Sequence, residues 1–321
     1  MVIMSIGKDV HQAVMVAEVL TGLNIQPNGI YVDATFGRGG HTRAILNKLG
    51  KTGRLLVMDR DPLAIEAAQE LAKADVRVCV RHSPFSKLYA FCQDMDVVGK
   101  VNGILLDLGV SSPQLDNGER GFSFRLDGPL DMRMDPTTGI SAAEWVNVET
   151  EEVLSLIFQQ FGEERFHRRI AHAIVEARMI DPITTTLQLA SIVSKAHPAW
   201  ERHKHPATRV FQAIRLFINN ELNELSTCLE HMLPVLASES RMAVISFHSL
   251  EDRIVKQFIQ KHERGDEHPR GLPIPFVELN QRLRRVGKKL KPIDSEINRN
   301  PRSRSAVLRV AEHVMPKVRA L

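Results

Sequence analysis

The stretch Ile30-Tyr-Val-Asp-Ala-Thr-Phe-Gly-Arg-Gly-Gly-His41, together with Leu55-Leu-Val-Met-Asp59, decides the fold. It predicts an apolar strand, a glycine-rich turn, a helix, and then a second strand that ends in a carboxylate. Such a unit begins an α/β sheet that holds a nucleoside-bearing cofactor at the carboxyl ends of its strands. The spacing of the glycines then distinguishes one cofactor class from another.

The glycines are Gly37, Gly39 and Gly40, whereas Thr42 stands where a dinucleotide fingerprint has its third glycine. The pattern strand-Asp-x-x-x-Gly-x-Gly-Gly instead resembles the cofactor loop of S-adenosylmethionine-dependent methyltransferases. Glycines there let the backbone approach the cofactor without a clashing Cβ. Asp59 ends the next strand, where its carboxylate can accept both ribose hydroxyls. The alternative is a tight strand-to-helix turn with an incidental acid, and the position of Asp59 weakens that interpretation.

Composition limits the class of protein. The 321 residues suffice for one large domain or two modest ones, and the 43% hydrophobic content supports a packed core. No run of about 18 apolar residues predicts a membrane span, and the first ten residues do not resemble a secretory signal. Three widely spaced cysteines give neither a zinc motif nor a disulfide framework, which favours a reducing cytoplasm and no bound metal.

The order of apolar segments predicts an α/β fold with a doubly wound, Rossmann-like parallel sheet. Strands are expected at 30–34, 54–59, 76–81 and 101–108, and a helix is expected after each of the first three. Later in the chain we expect one long helix over 208–233 and further strands at 241–248 and 303–313.

A helical domain is predicted to interrupt the sheet domain. Residues 111–139 form a long segment rich in Ser, Pro, Gly and Asp, and its phenylalanines and methionines argue against simple disorder. Helical periodicity follows from Ser141 onward. We therefore predict a sheet domain of 1–114 and 206–321 and an inserted substrate-recognition domain of 115–205. The alternative is that these helices merely pack on the sheet.

Asp107 ends the fourth predicted strand and is the candidate catalytic residue. The exocyclic amine of cytosine or adenine is a poor nucleophile, and a carboxylate that accepts its hydrogens favours a pyramidal nitrogen. Positioning and electrostatics can then support an in-line methyl transfer. Many amino-methyltransferases have Pro-Pro-aromatic after this acid, whereas Leu108-Gly-Val-Ser-Ser-Pro113 follows here. Asp107 can therefore serve the cofactor rather than the base, or cap a helix.

Other polar residues are candidates for substrate binding. Ser246 and His248 end the fifth strand, where they could bind a flipped nucleotide or simply be structural. Arg215 could reach a phosphate or pair with Glu221. None of Cys79, Cys92 and Cys228 lies near these turns, which disfavours the nucleophilic cysteine of a carbon-5 pyrimidine methyltransferase.

The segment 281–291 carries six cations without an acid, although the net charge of the chain is only +4. Such a cluster is typical of a surface that binds a polyanion. A solvated loop is an equal alternative on charge alone.

Long motifs carry a specific resemblance. They are Val32-Asp-Ala-Thr-Phe-Gly-Arg-Gly-Gly-His-Thr42, Ile104-Leu-Leu-Asp-Leu-Gly-Val-Ser-Ser-Pro-Gln-Leu115, Gly128-Pro-Leu-Asp-Met-Arg-Met-Asp135, His205-Pro-Ala-Thr-Arg209 and Ile245-Ser-Phe-His-Ser-Leu-Glu-Asp-Arg253. The chain thereby resembles the ribosomal RNA small subunit methyltransferase H family, from about residue 11 to the strand ending near Glu312. The part near 262–295 is the least characteristic.

The resemblance implies N4-methylation of a cytidine in the decoding region of bacterial 16S ribosomal RNA, with S-adenosylmethionine as cofactor. It implies an assembled small ribosomal subunit as substrate, a cytoplasmic location and no membrane partner, with a monomer and a homodimer both open. The cofactor contacts that it implies are Gly39, Gly40, His41, Asp59, Phe85, Asp107 and Gln114.

Three rival functions remain open at this point. A dehydrogenase conflicts with the missing third glycine. A non-catalytic RNA-binding assembly factor conflicts with the presence of Asp59, Asp107 and the glycine loop. A DNA amino-methyltransferase would fit the chemistry but lacks its usual Pro-Pro-aromatic turn.

Overall fold

A computed structural model describes residues 13–199, 205–265 and 280–314. The chain divides into two compact units, Met1–Gly109 with Leu225–Leu321, and Val110–Glu224. The predicted insert, 115–205, lies within the second unit. The first ten residues, for which no secretory signal is predicted, lie outside the described residues. No helix in the described part of the chain is long and apolar enough to cross a membrane.

The first unit contains a seven-stranded sheet within the described residues, in the order β3-β2-β1-β4-β5-β7-β6. The strands are β1 Ile30–Asp33, β2 Arg54–Asp59, β3 Val78–His82, β4 Val101–Asp107, β5 Leu236–Ser246, β6 Leu283–Arg285 and β7 Val307–His313. β1 to β5 are parallel, which confirms the predicted α/β sheet.

One strand, β7, departs from the expected all-parallel sheet. β7 pairs antiparallel with both β5 and β6. The chain enters β7 from its neighbour β6, and antiparallel neighbours need no crossover helix. β6 itself lies in the basic segment, for which no strand is predicted.

Helices cover both faces of the sheet. Val32, Leu56 and Ile104 belong to one buried cluster, and Tyr31, Leu55, Val57 and Leu105 to the other, so alternate strand residues point to opposite faces. Burial on both faces explains why the strands are apolar throughout. The helices of this unit are α1 Val16–Leu23, α2 Gly40–Leu46, α3 Pro62–Ala74, α4 Leu88–Asp94, α12 Ser249–Arg264 and α13 Asp294–Arg299, and the unit boundary falls within α11 Glu221–Met232.

The second unit is helical. It contains α5 Ser112–Asp116, α6 Ala142–Val148, α7 Glu151–Gly162, α8 His167–Ile180, α9 Thr186–Ala196 and α10 Ala207–Ile218. Trp145 and Phe158 are fully buried in its core. The long segment before α6 is anchored to the same core by Phe122, Met132 and Met134, as its apolar content predicts.

The single helix predicted over 208–233 is wrong, because α10 and α11 are separate helices. Asn220 between them has a φ of 50°, which ends the right-handed path. The Asn219 side chain donates to the carbonyl of Met132 and accepts from the amide of Met134. Since both partners lie far away in sequence, helical periodicity alone does not reveal the break.

Candidate active site

The parallel strands of the sheet end at one edge, and the strand order reverses between β1 and β4. In open α/β sheets, ligands bind beside such a reversal, at the carboxyl ends of the strands. The loops after β1, β2, β3, β4 and β5 therefore form the candidate site.

The glycine loop after β1 has a backbone that requires glycine. Gly39 has a φ of 71°, and a Cβ there would lie 2.6 Å from a ring carbon of Phe36. Its amide donates to the Phe36 carbonyl at 2.7 Å and closes the turn from which α2 begins. Gly37 also has a positive φ, of 54°. Both therefore fit the left-handed region that glycine enters without strain.

Asp33, at the end of β1, is fully buried and connects the loop to its neighbours. One carboxylate oxygen accepts from the Thr42 hydroxyl on α2, and the other from the Thr35 amide at 3.2 Å. Burial raises the pKa of Asp33 to about 6, against the lowering effect of the Thr42 hydrogen bond.

Asp59, at the end of β2, accepts hydrogen bonds from backbone amides. Its Oδ2 accepts from the Gly37 amide at 2.8 Å and its Oδ1 from the Asp61 amide at 2.9 Å. Burial raises its pKa although these bonds act in the opposite direction. Each carboxylate oxygen can accept more than one hydrogen bond, so Asp59 retains the capacity to accept ribose hydroxyls.

Asp107, at the end of β4, makes a backbone hydrogen bond to Thr35, and its side chain lies close to His41. Its amide donates to the Thr35 hydroxyl oxygen at 2.7 Å. His41 Nε2 lies 3.5 Å from Asp107 Oδ2, and the His41 side chain is only 6% exposed. Burial opposes charging of His41, but the nearby carboxylates, above all that of Asp107, outweigh this and raise its pKa.

Several buried polar atoms at this edge make no hydrogen bond within the described residues. They are Ser83 Oγ after β3, Asp107 Oδ1 after β4, Ser246 Oγ on β5 and both ring nitrogens of His41. Buried polar atoms are usually paired with protein or water. Their grouping at one sheet edge is therefore what a site for a polar ligand requires.

Ser246 and His248 both lie at the end of β5. Ser246 is buried, and His248 precedes α12, where its Nε2 is 3.0 Å from Oε1 of Glu251. Oε2 of Glu251 accepts from the Phe247 amide at 2.8 Å. The β5 loop is therefore held by a carboxylate on the following helix.

The remaining predicted residues have other environments. Phe85 begins a short 3-10 helix after β3 and packs, half-buried, on the sheet core. Gln114 is in α5 of the helical unit, where its Oε1 accepts from the Ser111 amide at 2.9 Å. Arg215, in the same unit, makes two hydrogen bonds to Glu221, at 2.8 and 3.0 Å. Of the two roles that the sequence allows for Arg215, a phosphate ligand or the partner of Glu221, the structure contains the second.

Sequence reasoning missed Thr35, Ser83 and Glu251. Ser83 lies two residues after the strand predicted over 76–81, so its position could have indicated a site residue. Thr35 and Glu251 act through hydrogen bonds to other loops, which sequence position alone does not reveal.

The cysteines occupy the elements predicted for them. Cys79 lies in β3, and Cys92 and Cys228 are buried in helices α4 and α11. Burial raises the pKa of the Cys92 thiol to about 12. A buried neutral thiol is a poor nucleophile, which agrees with the prediction against a carbon-5 mechanism.

Comparisons with known proteins give a consistent family match. Residues 8–314 match the model of the MraW methylase family. A "Ribosomal RNA small subunit methyltransferase H" from Legionella pneumophila strain Corby is 56% identical over 302 residues, which cover 94% of this chain and 98% of that protein. The protein of that name from strain Paris has the same identity and coverage.

Similarity to solved structures is much lower. An rRNA methylase from Streptococcus thermophilus is 11% identical, covers 97% of this chain and 100% of that chain, and has a TM-score of 0.43. This level of likeness carries no argument about function.

The ionisation of Asp33 predicts a measurable pH dependence of stability. Its pKa is about 6 in the fold and about 4 in an unfolded chain. Between these values the native state binds more protons than the unfolded state, so this group makes the free energy of unfolding fall as pH rises from about 4 to about 6. Asp33→Asn should remove that contribution.

Urea unfolding at several pH values measures this effect. The difference between wild type and Asp33→Asn isolates Asp33 from the other carboxyl groups, and Asp94→Asn is a control at an exposed surface pair with Arg81. Parallel curves for wild type and Asp33→Asn over this interval would refute the assignment.

Proposed function

The chain belongs to the MraW methylase family, and from that premise we propose that it methylates the N4 amine of a cytidine in the decoding region of 16S ribosomal RNA. The chain is an S-adenosylmethionine-dependent rRNA methyltransferase, as its family and its 56% identical relatives indicate. The choice of atom, nucleoside and region is the proposal. The observation that carries it is the Asp107 carboxylate at the end of β4, where Oδ1 makes no hydrogen bond within the described residues.

The residues at the sheet edge fit S-adenosylmethionine. The unpaired oxygens of Ser83 and Asp107 and the ring of His41 are available to a ligand that carries hydroxyl, amino and carboxylate groups. Asp59 offers acceptors for the ribose, and the backbone of Gly39 and Gly40 offers a surface without side chains. Phe85 is an apolar neighbour suited to the adenine, and Gln114 completes the proposed contacts on the basis of family resemblance.

The proposed chemistry depends on how the protein presents the amine. When bound, S-adenosylmethionine supplies an electrophilic methyl group. The Asp107 carboxylate accepts a hydrogen bond from the cytosine amine and so favours a pyramidal nitrogen with a localised lone pair. The Thr35 hydroxyl fixes the Asp107 backbone, and this preorganisation lowers the barrier because little has to move during transfer.

The basic segment supports an RNA substrate, although its cations differ in availability. Arg284 pairs with Glu312, and Arg285 pairs with Glu263. Lys288 and Lys289 are exposed in the turn after β6 and have no acidic partner in the described part of the chain. These two lysines are therefore the cations of this turn best able to bind phosphate.

The substrate contacts proposed at β5 and in the helical unit are Ser246, His248 and Arg215. Ser246 is the last residue of β5, the strand that pairs with β4, and His248 lies two residues beyond it, which suits contact with the target nucleotide. Arg215 would have to exchange its bond with Glu221 for a phosphate. We further propose an assembled small subunit as the substrate, and hence a cytoplasmic site of action.

Methyl transfer to small ribosomal subunits that lack their native modifications tests the proposal. Label from S-adenosylmethionine should appear in N4-methylcytidine after nucleoside analysis. Asp107→Asn should lower kcat by about 100-fold, the usual scale for losing a charged group aimed at the reacting centre. Label in another nucleoside, or none with wild-type protein that binds the cofactor, would refute the proposed substrate.

Asp59→Ala should weaken S-adenosylmethionine binding. Each lost hydrogen bond to a charged group removes about 1.5–3 kcal/mol, so Kd should rise by about tenfold or more. Calorimetry measures Kd, and Asp94→Ala is the control, since Asp94 is an exposed residue paired with Arg81. An unchanged Kd for a folded Asp59→Ala protein would contradict the assignment.

The double variant Lys288→Gln/Lys289→Gln should reduce the salt dependence of RNA binding. If both lysines contact single-stranded phosphate, the slope of log K against log salt should decrease by about 1.4. Arg284→Gln/Arg285→Gln is the matched variant and should change the slope less, because both arginines have acidic partners. An unchanged slope for the lysine variant would show that this turn does not bind phosphate.

A further inference from the structure

The helical unit carries three exposed arginines that the chemistry above leaves without a role. Arg165 lies just before α8, and Arg168 and Arg169 are in the first turn of that helix. None of the three has an acidic partner in the described part of the chain. The Arg165 guanidinium carbon lies 5.6 Å from the centre of the Phe166 ring, a contact that leaves its N–H donors available.

Other arginines of this unit are already bonded within it. Arg133 makes two hydrogen bonds to the carboxylate of Asp131, both at 2.8 Å. Arg178 donates to the Val146 carbonyl at 2.7 Å. The arginines at the start of α8 differ from these, because their guanidinium groups remain available to an anion from outside the chain.

Helix stability does not explain the cations at the start of α8. The first turn of a helix carries a partial positive charge, so acids stabilise it and arginines destabilise it. Accordingly, α7 begins with Glu151 and Glu152, and α6 has a capping box of Ser141 and Glu144. α8 has no acid in its first turn and no side-chain cap. A local sequence that opposes its own helix is expected where function requires it.

The backbone that carries these arginines is held from two sides. The buried Glu164 accepts from the Phe166 amide at 2.8 Å, and its carboxylate lies 3.5 Å from Nε2 of His197. On the other side, the Ser155 hydroxyl is hydrogen-bonded to Nδ1 of His167, the first residue of α8, at 2.8 Å. A fixed backbone limits the ordering cost of binding to the arginine side chains themselves.

We propose that Arg165, Arg168 and Arg169 form a surface that binds backbone phosphates of the substrate rRNA. The inference deepens the proposed function, because it rests on an RNA substrate. A guanidinium binds a phosphate through two parallel N–H donors. Phosphate contacts position a protein on nucleic acid but carry no base information, so this surface anchors the helical unit without choosing the target nucleoside.

The triple variant Arg165→Gln/Arg168→Gln/Arg169→Gln tests the surface. Its binding to small ribosomal subunits that lack their native modifications is measured at several KCl concentrations. If each arginine contacts one phosphate, the slope of log K against log salt should decrease by about 2 to 3. KM for the subunit should rise severalfold, whereas kcat and the Kd for S-adenosylmethionine should stay within about twofold, because the chemistry itself is not affected.

The matched control replaces three exposed lysines that already have acidic partners in the sheet unit. These lysines are Lys73, Lys100 and Lys261, and their partners are Glu70, Asp96 and Glu230. Their replacement by glutamine lowers the net charge by the same amount and should change the slope much less. An unchanged slope for the arginine variant, or an equal decrease in both variants, would overturn the proposal.

Charge reversal separates binding from folding. Arg168→Glu/Arg169→Glu places acids in the first turn of α8, where they favour the helix. The midpoint of thermal unfolding should therefore not fall, while affinity for the subunit should fall further than in Arg168→Gln/Arg169→Gln. If affinity falls only together with the unfolding midpoint, the arginines are structural and the proposal fails. Wild-type protein that binds the subunit but makes no N4-methylcytidine would contradict the proposed function instead, and the slope would still decide this surface.

Discussion

The buried carboxylate of Asp33 holds the candidate site together. It binds the Thr42 hydroxyl on α2 and the Thr35 amide in the glycine loop, and the Thr35 hydroxyl in turn accepts the amide of Asp107. Three elements are thereby fixed around one side chain that has no exposure to solvent. Burial makes its ionised form unfavourable, and we infer that the site tolerates this because the hydrogen bonds set the positions of α2 and β4.

Other carboxylates of the site also hold loops in place, while several side-chain oxygens at this edge have no partner among the described residues. The Gly37 amide donates to Asp59, and the Phe247 amide donates to Glu251. The loops after β1 and β5 are therefore each hydrogen-bonded to a neighbouring carboxylate. Three side-chain oxygens at the same edge, Ser83 Oγ, Asp107 Oδ1 and Ser246 Oγ, make no hydrogen bond among the residues described. A rigid backbone that presents unpaired polar atoms is well suited to bind a polar cofactor and to orient a substrate.

Much of the fold could be predicted from sequence, because its signals are local. The apolar strands, the Gly37–Gly40 turn and the terminal carboxylates Asp59 and Asp107 are each readable within a few residues. The break at Asn219 was not, since it depends on Met132 and Met134, 87 and 85 residues away. β6 was missed because its cations concealed an edge strand, although charged residues are common on such strands.

The candidate site could be predicted only in part, because some of its contacts join residues that are far apart in sequence. Strand ends identified Asp59, Asp107, Ser246 and His248, whereas the supporting roles of Thr35 and Glu251 depend on contacts between loops. For Arg215, the sequence left two roles open, a phosphate ligand or the partner of Glu221, and the structure contains the pair with Glu221.

A crystal structure of the protein with S-adenosylhomocysteine tests the central claim most directly, since it shows whether this sheet edge holds the cofactor. The account predicts ribose hydroxyls within hydrogen-bond distance of Asp59, the ligand against the Gly39–Gly40 backbone, and a partner for at least one of the atoms of Ser83, His41 and Asp107 that lack one. A ligand bound elsewhere, with no ribose hydroxyl within hydrogen-bond distance of Asp59, would contradict it.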